Sequence, residues 1–130
     1  MKEVSIQRAS PESIQGVQRF YARVAHVLER KVGYGRAGLD ITDGHVDFYL
    51  RCATNTRALT DGLRDATKLS DEDVVRGMGR IDVTINDLKA TMPEGELKTA
   101  IVQSLMLRLD GFRFVAGLIG TDHLVAKERK

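Results

Sequence analysis

The amino-acid sequence predicts an all-α fold, a four-helix bundle-like single domain, and three observations carry that expectation. Apolar residues recur at alternating steps of three and four in two series: Ile14, Val17, Tyr21, Val24 and Leu28, then Val74, Met78, Ile81, Ile85, Leu88 and Met92. Such steps track the helical period, so each series lines one stripe of a helix and must be buried against something. Two helix-start signatures, Ser10-Pro11-Glu12 and Ser70-Asp71-Glu72-Asp73, precede these series. Finally, residues 97–119 are apolar well beyond one stripe, as expected of a central helix or one shared between subunits.

Residues 1–9 form a polar lead in which Val4 and Ile6 alternate with polar neighbours, a pattern that suits an added strand or a trailing end. The first helix is expected over 10–31, with Ser10 as cap, Pro11 in the first turn and Glu12 favoured by the helix dipole. Three glycines in Gly33-Tyr34-Gly35-Arg36-Ala37-Gly38 should stop it. A second helix over 43–64 carries a weaker stripe through Val46, Tyr49, Leu50, Ala53, Leu59 and Leu63. The third spans 70–92 and is stopped by Pro93.

This third element has a competing reading. Gly77 and Gly79 disfavour a helix, and Ile81, Val83 and Ile85 alternate with polar residues, so an α+β fold with a short strand near 80–86 is the alternative. Six positions from Val74 to Met92 fit the helical period whereas the strand pattern explains three, which favours the helix and makes the glycines marks of close helix contact. The fourth helix is expected over 94–119, followed by a polar tail over 120–130.

A chain of 130 residues, 42% hydrophobic and 29% charged, has the size and balance of one soluble domain able to bury a core without disulfide or metal staples. Aromatic residues are scarce at 5% and tryptophan is absent, which disfavours stacking platforms for bases or sugars. The single cysteine, Cys52, and an N-terminus without a secretory apolar core imply a reducing, cytoplasmic setting. Arg108, Asp110 and Arg113 interrupt the apolar stretch 97–119, so no membrane span is expected.

Four constellations of side chains bear on function. Arg19, Arg23, His26 and Arg30 follow steps of four, three and four and share a basic face of the first helix, either a solvated surface or a binding ridge for an acidic protein partner or a phosphate backbone. Gly33 to Gly38 match the letters G-x-G-x-x-G but lack the preceding strand that a dinucleotide loop requires, leaving Arg36 as a weak anion contact in an interhelical loop. Asp40, Asp43, His45 and Asp47 are the densest group of metal-ligand types, yet helix initiation alone explains acids there. Asp110 and Arg113 suit an on-helix ion pair.

No local catalytic motif is present, no cofactor is called for, and Cys52 reads as a small apolar residue of the second helix. Whether the protein is an enzyme is left open by this, because distant residues can assemble a site without a motif. The first expectation is a non-enzymatic helical interaction module, an adaptor, assembly or regulatory protein acting as a homo-oligomer on a macromolecular partner. The alternatives are a nucleic-acid-binding protein using the basic face and a small metal-dependent enzyme around Asp40, Asp43, His45 and Asp47.

Overall fold

A computed structural model describes residues 6–36 and 43–120, with side chains described for 6–30 and 52–120. The fold is all-α and four-helix bundle-like: α1 (Pro11–Arg36), α2 (Asp43–Thr67), α3 (Asp71–Thr91) and α4 (Glu96–Val115), with no strand among the described residues. α3 runs unbroken through 80–86, so the helical reading of that segment holds and the strand does not.

Local chemistry accounts for the starts. The Ser10 hydroxyl oxygen accepts from the Ser13 N–H at 3.1 Å, and that of Ser70 accepts from the Asp73 N–H at 3.2 Å, each satisfying an orphan amide of its helix. The ends follow the sequence less closely. α1 continues past the expected stop near Lys31 through Gly33 and Gly35 to Arg36. Glycine lowers helix propensity by roughly 1 kcal/mol without clashing, and a long cooperative helix tolerates it. α2 likewise runs past Arg64 to Thr67, where Ala66 is fully buried and the Thr67 hydroxyl donates to the Leu63 carbonyl at 2.6 Å.

α4 stops at Val115 rather than at residue 119. Gly117 takes a φ of 75°, its N–H donates to the Phe114 carbonyl at 3.0 Å, and the Leu118 N–H reaches the Arg113 carbonyl at 2.9 Å. This pair of bonds is a Schellman motif, which closes a helix through a left-handed residue. A side chain at Gly117 would also collide with the carbonyl of Gln7, so two requirements fix glycine there.

α1 packs on α2, α2 on α4 and α4 on α3, which places α1 and α3 at opposite ends of the packing series. The α2–α4 contact is a close backbone approach at Gly62 and Gly111. A Cβ at Gly111 would stand 2.7 Å from the Leu63 nitrogen and 2.8 Å from the Leu59 oxygen. The two series seen in sequence form the core with this pair: Ile14, Val17 and Tyr21 from α1, Val74, Ile81 and Ile85 from α3, against Leu59, Leu63, Leu109, Phe112 and Val115.

The wide apolar surface of α4 is central in its C-terminal half, where Leu109 to Phe112, Phe114 and Val115 are all buried. Its N-terminal half buries only Lys98 and Val102 and exposes Leu97 and Met106. Of the two glycines in α3, Gly77 does mark a close contact, since a Cβ there would lie 2.6 Å from the Phe112 ring. Gly79 has nothing within 4 Å.

The N-terminal segment 6–10 neither adds a strand nor trails. The Ala9 N–H donates to the Val115 carbonyl at 3.1 Å, and Arg8 Nε donates to Asp71 Oδ1 at 2.6 Å while its Nη2 reaches the Leu69 carbonyl. The segment thus ties the start of α3 to the end of α4.

Candidate functional site

The basic residues of α1 form a continuous face. Arg19, Arg23, His26 and Arg30 are all exposed and lie directly opposite the stripe of Ile14, Val17 and Tyr21 that enters the core. Helical spacing requires this: residues three and four apart stack on one face, and the core occupies the other. Glu29 sits at the edge of the face and forms a solvent-exposed ion pair with Arg57 of α2.

Two apolar residues complete the surface. Phe20 is 40% exposed and Val27 is 49% exposed, and their seven-residue separation sets them along one line beside Arg23 and Arg30. The Phe20 ring is held edge-on to the ring of buried Tyr21, with centroids 5.1 Å apart, so it is braced by the core while remaining open to solvent. Neither residue belongs to a pattern that marks it in the sequence. Their signal was present as a step of seven off the core stripe, but an isolated exposed apolar residue is ordinary on a protein surface.

Arg36 is the last residue of α1, and its side chain lies outside the described residues, as does Asp40 altogether. Asp43, His45 and Asp47 belong to the first turns of α2, with side chains outside the described set, so the metal reading falls beyond it. The letters G-x-G-x-x-G do not open a helix after a strand: Gly33 and Gly35 lie inside α1 itself, which removes the geometry a pyrophosphate would need. Half-buried Cys52 takes its expected place in α2, and its carbonyl accepts the Thr56 hydroxyl at 2.8 Å. Asp110 is buried, and Arg113 Nη1 approaches its Oδ1 at 3.7 Å along the helix.

A second polar arrangement joins α3 to α4. Buried Lys98 donates from Nζ to the Lys89 carbonyl at 2.8 Å and also to the Glu94 carboxylate, so an ammonium closes the C-terminal turn of α3 where the dipole favours a cation. It lies in a cleft of about 480 Å³ whose apolar wall is Val102 and Met106. With its donors directed to Lys89 and Glu94, this lysine performs a structural task.

The fold makes the Asp71 carboxyl more acidic. The hydrogen bond from Arg8 lowers its pKa below the ordinary carboxylate value, partial burial opposes this, and the Ile6 N–H and the charge of Arg8 add to the lowering. No helix among the described residues is long and apolar enough to cross a membrane. Comparison of the chain with protein-family models, curated proteins and solved structures finds no match.

Proposed function

We propose that the protein is a non-enzymatic helical interaction module, of adaptor, assembly or regulatory type, whose outer α1 face binds a macromolecular partner rich in carboxylates. The observation that carries this reading is the side-by-side exposure of Arg19, Arg23 and Arg30 with Phe20 and Val27 on the face opposite the core. Guanidinium groups pair with carboxylates through directed hydrogen bonds, and an adjacent apolar line supplies the area that a protein interface buries. A phosphate backbone would engage the arginines but leave Phe20 and Val27 without a counterpart, which favours an acidic protein partner over nucleic acid. A reducing, cytoplasmic setting belongs to the same proposal and is supported by the lone Cys52.

The test uses two defined polyanions, fluorescently labelled polyglutamate and a labelled DNA duplex, titrated with the protein across a salt series. Binding of polyglutamate that is lost on Arg19→Glu with Arg23→Glu supports the reading. Absence of binding at low salt rejects the ridge as a binding surface. Preference for the duplex, with a steep salt slope and no effect of Phe20→Ser, would transfer the assignment to nucleic acid.

A further inference from the structure

We propose that the cleft between the end of α3 and the start of α4 binds a small aliphatic carboxylate, with Lys98 holding the carboxylate and Val102 and Met106 holding the chain. The site lies on α3 and α4, away from the outer face of α1. The starting observation is the depth of Lys98. A lysine is ordinarily exposed, because its ammonium is strongly hydrated, yet Lys98 is only 9% exposed. Closing the last turn of α3 does not by itself require such depth, since a surface lysine can extend its stem to reach a terminal carbonyl.

The bonding of this buried ammonium leaves one donor over. One N–H goes to the Lys89 carbonyl at 2.8 Å and one to the Glu94 carboxylate, and the third has no acceptor among the described residues. Lys98 lines the cleft of about 480 Å³, a volume within the range of small-molecule sites, so the remaining donor has a space to serve.

Three features select the occupant. Lys89 and Lys98 bring two positive charges to the lining against the single negative charge of Glu94, which favours an anion. Glu94 shows the kind of anion that the ammonium takes. Its side chain is 89% exposed and belongs to the turn between α3 and α4, so a ligand carboxylate can replace it, or bind beside it, without disturbing a helix. Val102 and Met106 give the wall its apolar character, and Met106, 48% exposed, carries a flexible thioether chain that adapts to the shape of what it covers. Inorganic phosphate would meet the charge and leave this wall bare. A neutral alcohol would cover the wall and leave the charge unmet.

The test follows the methyl resonance of Met106, in protein carrying labelled methionine methyl groups, during titration with sodium octanoate, with octanol and inorganic phosphate as comparisons. Octanoate should shift it saturably, and each comparison compound should bind about tenfold more weakly or worse, octanol for want of a charge-assisted hydrogen bond and phosphate for want of a chain. Lys98→Met should weaken octanoate binding by about tenfold or more. Glu94→Gln should instead strengthen it, by up to about fivefold, because it removes a competing exposed carboxylate and leaves Lys98 in place. A substitution that merely loosened α4 would not tighten binding, so the opposite signs separate recognition from folding. Absence of a saturable shift with octanoate up to about 10 mM overturns the proposal. So does octanol or phosphate binding as tightly as octanoate, the first leaving only an apolar groove and the second only an anion contact, and so does Glu94→Gln binding no more tightly than the parent.

Discussion

Four glycines in regular helix have opposite significance, and the atoms around them give the sign. At Gly111 a methyl group would meet the Leu63 nitrogen at 2.7 Å and the Leu59 oxygen at 2.8 Å, which are backbone atoms of a packed helix and cannot swing aside. Gly111→Ala is therefore expected to destabilise the protein by about 1–3 kcal/mol, the range for overpacking a well-filled interior. Gly62 faces the Arg108 carbonyl across the same contact, and Gly77 faces the Phe112 ring. At Gly79 the added methyl meets nothing, and Gly79→Ala should stabilise by about 0.5–1 kcal/mol through helix propensity alone. Urea unfolding of the two alanine variants and the parent at one protein concentration measures both. Equal midpoints for Gly111→Ala and the parent would show that α2 and α4 are not packed backbone to backbone. Lys98 belongs to the same scale: Lys98→Met keeps the aliphatic stem but leaves the Lys89 carbonyl without its donor, for an expected loss of about 0.5–1.5 kcal/mol.

Among the elements, the segment 6–10 is held by an ionic latch whose strength depends on pH. Because the Asp71 carboxyl is depressed in the folded state, its contribution is complete above the unfolded carboxylate value, about 3.9, and is lost as pH falls through the lower folded value. Near neutral pH the latch is closed, and acidification should release Arg8 and then the Ala9 amide from Val115. The protection of the Ala9 amide, measured against the intrinsic exchange rate at the same pH, is expected to fall below that range in the parent and to be low already at neutral pH in Asp71→Asn; identical protection in both proteins would exclude the latch. Nothing local announces this contact, since Arg8 and Asp71 lie 63 residues apart in sequence. The ends and core stripe of α3, by contrast, are legible in sequence, because Ser70, the acidic first turn, the apolar stripe and Pro93 all act within a few residues of their effects, whereas the alternation over 81–85 also suits a strand and Gly79 meets no neighbour. The end of α4 is not legible, as Gly117 owes part of its role to the Gln7 carbonyl, a tertiary contact. The arginine ridge was visible as a period, whereas Phe20 and Val27 gained meaning only once the fold showed which side of α1 was open.

For the whole molecule, burial is uneven in a way that predicts where it opens first. Leu63, Ala66, Val74 and Val115 are all 0% exposed, and they cluster where α2, the C-terminal half of α4 and the start of α3 converge. The N-terminal part of α4 meets this centre through buried Val102 and half-buried Leu105 and Leu107, with Leu97 and Met106 facing outward. Local opening free energy rises with buried apolar contact, so amides in 59–66 and 109–115 should exchange only by global unfolding, while those in 96–107 exchange through a smaller opening. Native-state hydrogen exchange with a denaturant series distinguishes the two classes by slope: a steep dependence on denaturant for the centre and a shallow one for 96–107. Lys98 sits at the boundary, since its bonds to Lys89 and Glu94 join that half of α4 to α3. Lys98→Met should accelerate exchange in 96–107 by more than it does in 109–115. Equal acceleration of both segments would mean that α4 opens as one piece.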